Sequence, residues 1–239
     1  MRGNDPAAGA AGIGVRVFEQ SAVRTIERGP RTRIHTAHGS VVADQVVIAG
    51  KAYLDGLVPE LGGYILPAGS YLIATEPLPE AMARELFPRD SAVCDSNVLL
   101  DYYRLSSDRR MLFGGRCNHS GRIPPSIKAA LLPHLLRGFP GLRGIRIDYE
   151  WGGTVAASLN RIPQLGRLPG NLLYAQGYSG HGVVATHVFG RLLAGAISGS
   201  QAEFEILAQL RHWRLPGGKW FASPALAMGM SYYRLRDML

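Results

Sequence analysis

Cysteine is almost absent from this chain: Cys94 and Cys117 are the only two, and they form no C-x-x-C. A zinc ribbon and a thioredoxin-like dithiol site are therefore excluded. Two isolated thiols fit a reducing compartment, and the cytoplasm is the expected location. The opening Met1-Arg2-Gly3-Asn4-Asp5-Pro6 has no apolar core of a signal peptide. No apolar run reaches the roughly 18 residues that a membrane span needs. Dense basic runs are missing too. The net charge is +8, but arginines such as Arg24, Arg28, Arg31, Arg33, Arg104, Arg109, Arg110 and Arg116 are dispersed. They read as a solvated basic surface, with neither nucleic acid nor membrane as partner. His181 and His187 stand six apart, off the i, i+4 spacing of a helical metal pair. The other histidines have no partners at ligand spacing, so no metal is expected. Finally, no G-x-G-x-x-G occurs: Gly12-Ile13-Gly14 begins one, but Val17 holds the third glycine's place and no strand precedes it.

What is present is globular. The chain is 46% hydrophobic and 18% charged, which supports a packed core, and 30 glycines with 15 prolines imply many turns. Short extended runs are predicted over 15–18, 22–27, 33–37, 40–43 and 45–49, with His38-Gly39 as a turn. Val46-Val47-Ile48 is continuously apolar, as in a strand covered on both faces. Further strands are predicted at 71–75, 98–105, 110–114, 145–151 and 171–175. Helices are predicted at 79–87, at 125–137 with a break or kink at Pro133, at 182–198, and at 223–239 with Ser223 as N-cap and Pro224 at N1. Clusters of strands between isolated helices point to an α+β or mixed α/β fold.

The most informative segment runs Tyr174-Ala175-Gln176-Gly177-Tyr178-Ser179-Gly180-His181-Gly182-Val183. A buried strand ends, three glycines follow within six residues, and a long apolar helix begins. Glycine permits positive φ and close backbone approach. The free N–H groups of a first helical turn, with the helix dipole behind them, attract an anion or an electron-rich ring edge. A plain glycine-rich turn remains open on local grounds. A nucleophile elbow is excluded because His181 stands two residues after Ser179 where glycine is needed. A dinucleotide fingerprint is excluded because the glycine order is G-x-x-G-x-G.

Together with Trp151-Gly152-Gly153-Thr154 and Leu159-Asn160-Arg161-Ile162-Pro163-Gln164-Leu165-Gly166-Arg167, this segment resembles the C-terminal region of the D-amino-acid-oxidase-like FAD-dependent oxidoreductases. Within that superfamily it is most similar to the gamma-glutamylputrescine oxidases. The runs 17–23, 46–54, 74–78, 102–104, 113–116 and 231–237 also fit, so the resemblance covers nearly all of residues 15–239. It implies a mixed α/β fold: a glutathione-reductase-like FAD domain joined to a sheet-based substrate domain. The implied division is 1–58 as part of the FAD domain, 59–150 as substrate-domain sheet, and 151–239 returning to the FAD domain. The implied reaction oxidises an amine to an imine with FAD as cofactor. Hydride passes to the flavin, water releases an aldehyde, and dioxygen reoxidises the flavin.

Carried onto this sequence, the resemblance assigns FAD contacts to Val23, Ala49, Gly50, Gly177, Tyr178, Ser179, Gly180, His181, Gly182 and Val183. Tyr71, Tyr102, Arg104 and Trp151 line the substrate pocket, with Arg104 suited to a glutamyl carboxylate. Each of these four also has a plain role open to it, as core aromatic or surface charge. No general base is named. The family opens with a G-x-G-x-x-G turn that holds the pyrophosphate, and that turn is missing here. The expectation is therefore a C-terminal portion of such an enzyme, binding FAD weakly or not at all alone. It would be an inactive remnant, a binding or oligomerisation module, or one half of a split enzyme with a separate N-terminal half.

Overall fold

The computed structural model describes residues 6–54, 56–97, 100–118 and 124–215. The helix expected at 223–239 lies outside these residues. The chain divides into two compact units, one of 1–48 with 167–174 and the other of 49–166 with 175–239.

The first unit begins with a short helix α1 (Pro6–Gly12). A meander follows: β1 (Thr25–Glu27), β2 (Thr32–His35) and β3 (Ser40–Ala43), paired antiparallel in that order. The strand expected at 15–18 is not formed. Val15, Val17 and Phe18 are exposed there, and a strand gains nothing without a ladder partner. β4 (Val46–Ile48) pairs in parallel with β11 (Leu172–Gln176), Val46 opposite Leu172 and Ile48 opposite Tyr174. The turn before β11 is tied down by polar contacts. Thr32, fully buried, donates its hydroxyl to the Gly170 carbonyl at 2.5 Å, and Asn171 Nδ2 donates to the Pro30 carbonyl at 3.0 Å.

The second unit holds a five-stranded antiparallel sheet in the order β6-β7-β8-β5-β9. Its strands are β5 (Leu66–Pro77), β6 (Val93–Cys94), β7 (Tyr102–Leu105), β8 (Arg110–Asn118) and β9 (Ile147–Ala157). Alternation along β5 sends Tyr71, Ile73 and Thr75 to one buried face. There Tyr71, Ile73, Met111 and Phe113 pack with Leu131 and Leu135 of α3 (Ile127–Gly138) in the main core cluster. α2 (Glu80–Leu86) adds Ala83 to the same cluster.

α3 starts at a Ser126 N-cap, whose hydroxyl accepts from Ala129 N at 3.1 Å, and Glu150 accepts from Lys128 N at 2.5 Å. The helix continues through Pro133, where a break or kink was expected, without a break. A proline costs one backbone bond and some crowding; here fully buried Leu131 and Leu135 flank it and offset that cost. β10 (Gln164–Leu168) lies beside β11, and α4 (Gly182–Ser198) ends at Gly199 in the left-handed region, φ 102°. α5 (Ala202–Ala208) follows.

Candidate functional site

The glycine-rich segment forms a tight turn anchored on the end of β9. Gly177, Ser179 and Gly180 take φ values of 75°, 51° and 96°. Left-handed backbone is open to glycine and strained for serine. Ser179 is held there by three contacts: its N–H donates to the Ala156 carbonyl at 2.9 Å, its hydroxyl donates to the Gly177 carbonyl at 3.1 Å, and that hydroxyl accepts from Ser158 N at 3.1 Å. A Cβ on Gly177 would lie 3.2 Å from Ile65 Cδ1, so the turn sits flush on its support. Beneath it, buried Gln176 Nε2 donates to Gln164 Oε1 at 2.7 Å.

α4 then begins with its N-terminus bare. His181 is the N-cap residue but makes no side-chain cap bond, and the first turn holds no acid. The N–H groups of this turn and the positive end of the dipole therefore lack a side-chain counterpart. Val183 is 82% and Val184 74% exposed beside them, so apolar surface adjoins a donor-rich end. His181 is exposed as well, and His187 Nδ1 lies 2.8 Å from the Val183 carbonyl, a local helix contact. Tyr178 turns back onto Phe189, with ring centroids 5.8 Å apart, and burial pushes its hydroxyl pKa up. A donor edge flanked by apolar side chains and positive-φ glycines fits the flavin end of FAD, a flat ring with an electron-rich edge.

Ala49 and Gly50 follow β4. Gly50 O accepts from Tyr53 N at 2.8 Å, and a Cβ on Gly50 would come within 2.4 Å of Leu54 Cδ2, so any larger residue there must displace the Leu54 side chain. Tyr53 accepts at its hydroxyl from Thr154 N at 3.1 Å, and that bond holds its pKa below the usual value. Val23 lies in the first unit, in the extended residues before β1, with its side chain partly exposed.

The five-stranded sheet sorts the four expected substrate residues by face, because residues opposite one another in an antiparallel ladder share a face. Tyr102 pairs with Gly114, Gly114 with Leu72, and Leu72 with Trp151. These four make one row across the sheet, on the face turned away from α3. Arg104 is opposite Leu112 in the next row of the same face. It is exposed and donates Nε to the Leu105 carbonyl at 3.1 Å. Tyr71, only 3% exposed, is on the other face within the core cluster. The structure thus places Tyr102, Arg104 and Trp151 on one face, with two strands between Tyr102 and Trp151, and puts Tyr71 on the other.

Residues without a sequence signal complete this face. Tyr102 lies flat over Gly114: a Cβ there would meet Tyr102 Cε2 at 2.3 Å. Crossing above β8, its hydroxyl reaches Ser70 Oγ on β5 at 3.0 Å. At the sheet's end Arg110 and Arg146 both hold Asp148, at 2.5 and 2.6 Å, and Arg110 also stacks over the Tyr149 ring at 5.1 Å. Among the described residues no group of three or more His, Cys, Asp or Glu could hold a metal ion, and no single helix is long and apolar enough to cross a membrane.

The FAD dependent oxidoreductase (DAO) family matches residues 7–196. The chain belongs to this family. FAD is the family's cofactor, and its members are oxidoreductases. The chain is 46% identical over 227 residues to gamma-glutamylputrescine oxidoreductase of Escherichia coli, covering 95% of this chain and 53% of that protein. It is 37% identical over 230 residues to "Probable oxidoreductase OrdL" of Haemophilus influenzae, covering 94% and 52%. The chain spans about half the length of the curated relatives it matches. Among solved structures, glycine oxidase from Geobacillus kaustophilus superposes with a TM-score of 0.68 at 21% identity, over 85% of this chain and 55% of that one. At that identity the likeness concerns the fold, which is the mixed α/β fold of FAD-dependent oxidases.

Proposed function

We propose that this chain supplies the substrate face and the flavin-edge contacts of an FAD-dependent oxidase that converts a gamma-glutamylated amine to an imine. The observation that carries the reading is the bare α4 N-terminus behind the Gly177–Gly180 turn, in a chain of the FAD-dependent family. The relative named gamma-glutamylputrescine oxidoreductase supports the substrate class.

Bound FAD supplies the two-electron acceptor, and dioxygen is the terminal acceptor. The chain's own residues position and exclude. The N–H groups of Gly182 and Val183 would hold the electron-rich ring edge and would favour negative charge there. Gly177, Tyr178, Ser179, Gly180 and His181 shape the approach, and Ala49, Gly50 and Val23 serve as backbone contacts to the remainder of the cofactor. Tyr102, Arg104 and Trp151 line the amine pocket, with Tyr71 supporting it from the buried face. In this reading 1–58 and 151–239 form the FAD side and 59–150 the substrate side. The pyrophosphate turn is not among these 239 residues, so the chain alone grips FAD weakly and turns over little.

The test is to titrate FAD into the purified chain and follow the flavin spectrum and fluorescence, before and after anaerobic addition of gamma-glutamylputrescine. Weak, saturable uptake supports the reading. No uptake at any FAD concentration favours a binding or oligomerisation module. Bleaching without added N-terminal half would show that the chain is competent alone.

A further inference from the structure

The hydroxyl pair of Ser70 and Tyr102 is a built feature of the open sheet face. The two residues stand on strands that are not neighbours, since β8 lies between β7 and β5. Their contact exists only because position 114 is glycine: any Cβ there would meet Tyr102 Cζ at 2.5 Å and its hydroxyl at 2.8 Å. The ring therefore lies on the backbone of β8 and carries its hydroxyl to within 3.0 Å of Ser70 Oγ. Both residues are half-buried, and the row they join runs on through Leu72 to exposed Trp151.

The chemistry of the pair narrows what it recognises. Two hydroxyls hold two O–H donors, and their mutual bond uses one. Whichever hydroxyl donates, one O–H is left to offer, on a neutral site. Arg104 stands two residues along β7 on the same face, its backbone about 6.7 Å from that of Tyr102 at the rise of an extended strand. A gamma-glutamyl amine carries a carboxylate and an amide carbonyl four bonds apart, roughly 5 Å when extended at bond lengths of about 1.5 Å. The two groups are therefore far enough apart to be held by separate residues of one face, a cation and a neutral donor.

We propose that the Ser70–Tyr102 hydroxyl pair, laid over Gly114, binds the gamma-amide carbonyl of the substrate while Arg104 takes its carboxylate. Tyr102 or Ser70 donates the free O–H, and its partner holds that hydroxyl in place. The proposal rests on the gamma-glutamyl reading above and assigns its neutral half to these residues.

Binding of gamma-glutamyl-n-butylamide, which lacks the oxidisable amine, tests it by calorimetry on the same chain, with n-butylamine as the probe without amide or carboxylate. Ser70→Ala and Tyr102→Phe should each weaken the amide ligand about tenfold, the size of one hydrogen bond. The double variant should be little worse than either alone, and Ser70→Thr should restore affinity. Equal affinity in wild type and both single variants would overturn the proposal, as would equal loss for n-butylamine, or no amide binding by wild type. FAD titration of the same preparations separates the two readings. Amide binding without FAD uptake sinks the oxidase reading and leaves this one standing. FAD uptake with unchanged amide affinity in Tyr102→Phe does the reverse.

Discussion

The two faces of the five-stranded sheet solve the same packing problem for different ends. On each, a tyrosine lies flat across a glycine. Tyr71 covers Gly152, where a Cβ would meet its Cδ1 at 2.3 Å, and Tyr102 covers Gly114, where the clash would again be 2.3 Å. Tyr71 is sealed beneath α3 with Ile73, Phe113 and Leu135, whereas Tyr102 shares the open face with exposed Trp151 and Arg104. One face is closed by packing and the other is left open. The same local device has different energetic weight because burial, not geometry, sets the cost of disturbing it.

The comparison breaks if both faces respond alike. Leu135→Ala, at a fully buried position, should destabilise by about 2–5 kcal/mol in urea denaturation. Trp151→Ala, at 43% exposure, should cost clearly less in the same assay. Gly152→Ala should cost about 1–3 kcal/mol through overpacking against Tyr71. Gly114→Ala should cost less than about 1 kcal/mol, because the half-buried Tyr102 ring can swing out, yet it should abolish the Ser70 contact. Equal costs at Gly114 and Gly152 would show that the open face is as closed as the other.

At the turn, Val183→Glu adds an acid to the bare first turn of α4. It should stabilise the fold by about 0.3–1 kcal/mol while weakening FAD uptake by charge repulsion. Parallel loss of stability and FAD affinity would argue that the turn is merely structural. The smallest effect is electrostatic. Asp148 is held below the usual carboxylate range, first by its hydrogen bond to Arg146 and then by Arg110. A depressed folded pKa contributes stability that is fully present above the unfolded value of about 3.9 and is lost as pH falls through the folded value. Asp148→Asn should therefore lower the urea midpoint at neutral pH and flatten its decline in acid. An unchanged acid limb would remove Asp148 from the account.

Much of the architecture was legible in the residues. The apolar helix at 182–198 and the buried strand beginning near Leu172 have strong local signals, a glycine-rich start for one and a continuous apolar run for the other. The strand at 145–151 was legible only in part. β9 continues to Ala157, because its ladder with β5 runs on through Gly152-Gly153, two residues without side chains to carry an alternation. β10, of mixed polarity, and the seven-residue α5 carried too short a pattern to be found. The glycine-rich turn before α4 was visible because its residues are contiguous in sequence. Ser70 was not, since its partner stands 32 residues away across an intervening strand. The face occupied by Tyr71 was hidden for a related reason: it is fixed by ladder register, and one residue of slip would reverse it.

The central claim is that this chain grips the flavin ring more firmly than the rest of the cofactor. Its most direct test compares the affinities of the purified chain for riboflavin, FAD and AMP by fluorescence and calorimetry. The account predicts that riboflavin and FAD bind within about tenfold of one another, a gap of roughly 1.4 kcal/mol, that both are weakened by Val183→Glu, and that AMP does not bind. FAD binding far tighter than riboflavin, or AMP binding on its own, would contradict it and place the nucleotide grip within this chain.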